Sequence, residues 1–301
     1  MNFSMQLQHR ICIAEEVTFG NIPVPANMRQ IRFSGTELGL RRQMVESDEI
    51  RTDRQIADVI PGLAIVEGDI DVELSYGGFD DLMAGALYGE WSGNTLITGT
   101  KEHSFTIERG FTDIDDYQIY TGCVVDELSL SVQPESLITG RFGIVGRDVT
   151  HQGSALDAAP EAPTSNAPLD SFQAEIWEGG SRLAHVTGID LNIKNGVERA
   201  FALGEAEASQ MIPGISRVSG SVSAFFETDS LIQKVLAATE SSLEISLSGA
   251  GGGYQILLPK VMYTALDIPV KGERAVIMTL PFTGIFDETA GTNIKITRIP
   301  N

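Results

Sequence analysis

Four histidines, His9, His103, His151 and His185, are the side chains best suited to hold a metal or move a proton. Their spacing fits no ligand pattern, and His9 and His151 fall in segments that read as arm and linker, so all are expected to be solvated. Asp113-Ile114-Asp115-Asp116 offers hard oxygen ligands but lacks the central glycine and terminal glutamate of a calcium loop, and reads as an acidic turn. Gly249-Ala250-Gly251-Gly252-Gly253 looks like a phosphate cradle, yet the strand pattern Tyr254-Gln255-Ile256-Leu257 follows it and no Lys-Ser/Thr does. A hairpin turn is the better reading. Asp69 and Asp71 are paired carboxylates on the solvent side of a strand, without the apolar pocket that would set their pKa values apart for acid–base work. Trp91 and Trp177 are isolated, and there is no Gly-x-Ser-x-Gly elbow. No catalytic residue, metal or cofactor is expected.

Charge narrows the partners. The formal net charge is −20, from 24 acids and 11 bases in residues 1–150 and 17 acids and 10 bases in residues 151–301. Both halves are acidic, which excludes tight nucleic-acid readout, because phosphate contacts need clustered Lys and Arg. Such a surface serves solubility, or repels a polyanion passing beside it. The apolar runs are too short to span a bilayer, and Met1 to Gln6 has no basic region before an apolar stretch, so no secretory signal is expected. Asn2-Phe3-Ser4 is a glycosylation sequon in form only. Cys12 and Cys123 are too few for a disulfide scaffold and read as reduced thiols of a cytoplasmic protein.

The elements that carry these residues are written twice. Val59-Ile60-Pro61-Gly62 returns as Met211-Ile212-Pro213-Gly214, each followed by a glycine (Gly68, Gly220) and an alternating run (Ile70, Val72, Leu74; Val222, Ala224, Phe226). A short apolar stripe then follows in each half (Leu82, Met83, Ala86, Leu87; Leu231, Ile232, Val235, Leu236). Upstream, Phe33 to Leu38 sits where Val186 to Leu191 sits in the second copy. The expected fold is mainly β: two tandem, internally duplicated β-sandwich or barrel domains, each with one short helix. Asp80 or Asp81 is expected to cap the first helix, and Asp229 or Ser230 the second.

The domains divide as a weakly structured N-terminal arm (1–30), a first domain (31–149), an Ala/Pro/Ser-rich linker (150–170) and a second domain ending in a C-terminal arm (171–301). Asp69 to Tyr76 is the cleanest strand, with Asp69, Asp71 and Glu73 outward. Phe225 stands where Glu73 stands in the first copy, which marks it as a candidate interface residue. Gln43 to Asp58, rich in both charge signs, is too long for a mere connector and reads as a functional loop.

Leu38 to Trp91 resembles a family of bacteriophage tail tube proteins from long-tailed, non-contractile phages. The resemblance rests on Ser47-Asp48-Glu49-Ile50-Arg51-Thr52-Asp53-Arg54-Gln55, Val66-Glu67-Gly68-Asp69-Ile70, and Glu73-Leu74-Ser75-Tyr76-Gly77-Gly78-Phe79-Asp80-Asp81-Leu82. It implies a tube domain with a flanking helix, a structural role without enzymatic activity, and rings stacked into a hollow tube through which the genome leaves the capsid. By the same likeness the loop from Met44 to Asp58 contacts the next ring, through Asp48, Glu49, Arg51, Asp53, Arg54 and Gln55, and the arms at either end act as clasps. Implied partners are further copies of the chain, a tape-measure protein in the lumen, tail-tip and tail-terminator proteins, and passing DNA bound without sequence preference. No membrane is implied. The location is the virion tail, after assembly in host cytoplasm. The doubled domain favours a ring of three chains with pseudo-sixfold symmetry over a hexamer. Rival readings are a neck or tail-tip adaptor, or a β-sandwich carbohydrate-binding or hydrolase module.

Overall fold

The computed structural model describes residues 8–225, 230–266, 268 and 275–301, without the side chains of residues 230–232. In the first half, β1 (His9–Glu15), β2 (Arg29–Ile31), β3 (Gly35–Thr36), β4 (Gly39–Glu46) and β5 (Val59–Glu73) precede α1 (Asp80–Leu87). There follow β6 (Thr95–Ile97), β7 (Phe105–Phe111), β8 (Asp116–Val132), β9 (Thr139–Gly146) and β10 (Asp148–Gln152). In the second half, β11 (Glu175–Glu178), β12 (Ser181–Arg182), β13 (Val186–Lys194), β14 (Glu198–Phe201), β15 (Ala208–Ile212) and β16 (Arg217–Phe225) precede α2 (Ser230–Leu236). The chain closes with β17 (Ser241–Leu247), β18 (Gly253–Tyr263), β19 (Ile277–Gly284) and β20 (Lys295–Ile299). The protein is mainly β, as its alternating patterns require, with two short helices.

Two sheets meet at β8. Its first part pairs with β7 and β10, and its last part, from Glu127 to Val132, lies between β9 and β13. Gly122, at φ +59, and a bulge between Val125 and Glu127 let one strand turn from one sheet into the other. Across the halves, Leu128 opposes Ile193, Leu130 opposes Leu191, and Val132 opposes Ile189. The resulting ladder runs β5–β9–β8–β13–β16–β19, antiparallel throughout. β6 and β20 join the halves again, with Leu96 opposite Ile296. Core residues of both halves, among them Phe79, Phe142, Leu191, Tyr254 and Phe282, form one apolar cluster.

Several expectations change in the structure. Residues 9–15, read as part of a loose arm, form β1, which pairs with β2 and β7 and buries Ile11, Cys12 and Ile13. Short length and nearby prolines hid a strand whose neighbours lie far along the chain. The Ala/Pro/Ser-rich segment lies against the first half, with Glu161 N–H bonded to the Met28 carbonyl at 2.8 Å and Leu169 N–H to that of Leu74 at 2.7 Å. Gln43 to Glu46, read as the start of the functional loop, belong to β4, and Met44, Val45 and Glu46 pair with Pro61, Ile60 and Val59 at the start of β5. This stretch pairs with β4 alone, so Pro61 needs no second donor.

Asp80 and Asp81 do not cap α1 through a side chain; Phe79 is the N-cap and the two acids form the first helical turn. Their charge still suits the helix start, but their oxygens are used elsewhere. Tyr254 to Leu258 and Val261 onward belong to a single strand, β18, that ends at Tyr263. The expected cap at Asp229 and strand residue Phe226 lie outside the described residues, as do Met1 to Gln6, while Leu231 and Ile232 fall within α2 but their side chains are not described.

Candidate functional site

The joined sheet has one apolar face and one polar face. On the core side, Ile70, Val72, Phe142, Ile144, Leu128, Leu130, Ile189, Leu191, Val218 and Val222 are all buried. Successive residues of a strand point to opposite sides, so their neighbours make the other face. Read across the ladder, one row is Asp71, Arg141, Ser129, Asn192, Ser219 and Thr283. Ser131, Asp190 and Ser221 stand beside it. Apart from Arg141 these side chains are short and polar, and several are bonded to one another across the strands. Arg141 Nε donates to Asp71 Oδ1 at 2.7 Å, Ser131 Oγ to Asp190 Oδ1 at 2.6 Å, and Asn192 Nδ2 to Ser129 Oγ at 3.1 Å and Glu127 Oε1 at 2.5 Å.

Hydroxyl and amide side chains fill these rows, with carboxylates at Asp69, Asp71, Glu127 and Asp190 and cations at Arg141, Lys194 and Arg217 on the same face. Burial raises the Asp69 pKa, Arg141 opposes the shift, and the negative charges of Asp71, Glu127 and Glu37 add to it. Arg141 is held by Asp71 at 2.7 Å and Lys194 by Glu127 at 3.7 Å, so these cations are partly neutralised before any phosphate approaches.

The second feature is the hairpin of β4 and β5. Its ladder extends from Gly39 opposite Glu67 to Glu46 opposite Val59, and the tip from Ser47 to Asp58 closes on itself through Ser47 N–H to the Asp58 carbonyl at 2.9 Å. Met44, Val45, Ile56 and Ile60 are exposed along it, and Ile50 at the tip is 97 % exposed. Isolated surface apolar residues need no cause; here five stand on one hairpin.

The profile of the phage tail tube protein family matches residues 6–284. The chain belongs to that family. No curated protein sequence matches it.

The structure gathers most of the site residues of this tube protein that the sequence pointed to, and separates one. Asp48, Glu49, Arg51, Asp53, Arg54 and Gln55 share the hairpin tip. Arg51 turns back on Asp53 through two bonds, Nε to Oδ1 at 2.9 Å and Nη2 to Oδ2 at 2.7 Å. That pair holds the Asp53 carboxyl below its ordinary range. Asp53 also accepts from Gln55 N–H at 3.3 Å, and Arg54 takes a left-handed backbone at φ +62. Phe225 is elsewhere: it ends β16 opposite Ile277, at the sheet end occupied in β5 by Glu73 opposite Thr139. Phe225 and Ile277 are each 38 % exposed, an apolar pair at the far end of the sheet from the β4–β5 hairpin.

Sequence reasoning missed the exposed apolar residues of the hairpin and the polar rows on β8, β13 and β16. The signal for the rows lay in Ser129, Ser131, Ser219 and Ser221, which alternate with apolar residues.

The histidines are not uniformly solvated. His103 is buried, with Nδ1 at 2.7 Å from Glu15 Oε1 and Nε2 at 2.8 Å from the Gly89 carbonyl. His9 stacks on Phe111 at 4.7 Å. Trp91 lies under Arg298, whose guanidinium carbon is 4.1 Å from the ring centre, a cation–π contact joining the halves. Among the described residues no group of three or more His, Cys, Asp or Glu could hold a metal ion, and no helix is long and apolar enough to cross a membrane.

Proposed function

We propose that the chain is the repeating structural subunit of the tail tube, and that three copies close into a ring that stacks on others to enclose the path of the genome. The supporting observation is the doubled strand plan. Gly35 opposes Asp71 on β5 as Gly188 opposes Ser223 on β16, and Gly146 opposes Val66 as Gly284 opposes Val218. β1–β7 corresponds to β11–β17, and β8–β10 to β18–β20. One chain thus supplies two near-equivalent wedges, each with four strands in a shared curved sheet.

In this reading the polar face lines the bore, where acidic and hydroxyl side chains let DNA slide without attachment. A duplex carries one charge per about 1.7 Å, so cations left unpaired there would impose salt-dependent drag, and Arg141 and Lys194 are paired with carboxylates. The β4–β5 hairpin reaches the next ring, and its exposed isoleucines supply the contact beside the tip charges, of which Arg51 is paired within its own turn. The role requires no enzymatic activity.

Electron microscopy of the purified protein tests the reading. Rings or tubes with an open centre and threefold views are expected; a compact particle without a bore sinks it. Many copies per virion are expected, against one ring's worth for a neck or tip adaptor.

A further inference from the structure

The second half lays one hairpin across the first. β14 and β15 form a two-stranded sheet of their own. Ala64 N–H donates to the Ala206 carbonyl at 2.9 Å and Arg199 Nη2 to the Val66 carbonyl at 3.0 Å, which holds the hairpin down. Beneath it Ala208 and Met211 are buried with Val124 of β8. Where β15 meets the end of α1 and the turn after β1, the two halves leave a cavity of about 460 Å³, within the range of small-molecule sites.

Most polar groups on its walls already have partners. Glu16 accepts from Gly20 N–H at 2.7 Å, and from Thr106 Oγ1 and Gly122 N–H at 2.9 Å each. The ring nitrogens of His103 are both taken, by Glu15 and by the Gly89 carbonyl. Tyr88 and Glu102 remain. Tyr88 is 6 % exposed and lines the cavity, yet its hydroxyl has no hydrogen-bond partner among the described residues, where a buried phenol ordinarily finds one. Glu102 stands exposed at the rim without hydrogen bond or ion pair. Burial raises the Tyr88 pKa and the charges of Asp126 and Glu102 raise it further, so the cavity is electrically negative around a protonated phenol. No lysine or arginine among the described residues lines it. Lys101 is bonded to Glu90 at 2.5 Å, and Arg147 is paired with Glu207 at 3.4 Å.

We propose that this cavity binds an alkylammonium ion, its charged head donating to Tyr88 Oη and the Glu102 carboxylate and its chain lying against Phe19, Val124 and Met211. A phenol oxygen accepts as well as donates, and an ammonium head has three protons to give. The rings of Phe19 and Tyr88 favour a cation over a neutral chain of equal length. Anionic ligands meet carboxylates without a cation to hold them. A free diamine and a lysine side chain carry the same head group.

Calorimetric titration of the full chain with cadaverine and with Nα-acetyl-lysine methylamide tests the site, at about 0.15 M salt to screen attraction to the overall charge. Saturable binding at one site per chain is expected, with pentanol about tenfold weaker or worse. The tighter of the two amines identifies the source, a free amine or a protein side chain. Glu102→Gln and Tyr88→Phe should each weaken binding about five- to tenfold. Glu135→Gln, which alters an exposed carboxylate outside the cavity, should leave it unchanged. No saturable heat with either amine overturns the site, as does unchanged affinity in either folded variant. Because Glu102 is exposed and unpartnered, Glu102→Gln decides the matter if Tyr88→Phe fails to fold.

Discussion

Gly220 on β16 lies so close to Asp190 on β13 that a Cβ added to it would collide with the Asp190 carbonyl oxygen. Gly68 stands in the same relation to the Glu37 carbonyl, with its own backbone at φ +150. Alanine at either position should cost roughly 1–3 kcal/mol by forcing the strands apart. Urea unfolding of Gly68→Ala and Gly220→Ala measures this, and unchanged midpoints would show that the ladder yields more easily than its geometry implies.

Tyr254 of the second half donates from Oη to Asp80 Oδ1 at 2.5 Å and accepts from Gly77 N–H at 2.8 Å, both in the first half. Burial, with the Asp80 charge beside it, pushes the phenol well above its ordinary pKa and keeps it protonated. Tyr254→Phe leaves a backbone donor without its partner and should lose about 1–3 kcal/mol. Because the two halves share this bond, thermal unfolding should remain one transition at a lower temperature.

Burial, then the Arg109 charge, lowers the His9 pKa from 6.5 to about 4. The unfolded chain therefore takes up a proton below pH 6.5 that the folded chain refuses until about pH 4. Stability attributable to His9 is complete above 6.5 and falls as pH drops through that window. Partial exposure screens the effect to on the order of 1 kcal/mol. His9→Gln should flatten this part of the melting temperature against pH; an identical slope would assign it to carboxylates.

Charge reversal at Arg51 and Arg54 should leave the monomer folded but stop tube elongation. Since Arg51 is already bonded to Asp53 in its own turn, I56D/I60D should stop elongation at least as firmly. Normal-length tubes from both variants, seen by electron microscopy, would remove the hairpin from ring stacking.

The sequence made some of this legible and concealed the rest for physical reasons. Alternation alone located the β5 core face, because Ile70, Val72 and Leu74 point inward while Asp69, Asp71 and Glu73 do not. The acidic turn at Asp113 and the glycine-rich turn before Tyr254 followed from what flanks them. β1 was hidden because its partners, β2 and β7, are fixed by tertiary pairing and not by local pattern. The Asp80 role was hidden too, since Tyr254 and Arg298, which claim its oxygens, lie far along the chain. Among the site residues the tip charges were visible as a cluster. Their mutual pairing was not, because spacing does not reveal whether Arg51 looks inward or out.

The continuity of β8 with β13 has a mechanical corollary. In a hoop assembled from this polypeptide, every second joint in the wall is made before the subunits meet, and cannot open without unfolding a molecule. Closure then brings together half as many independent bodies, with a correspondingly smaller loss of translational and rotational freedom. Strain applied along the circumference would concentrate at the joints between molecules.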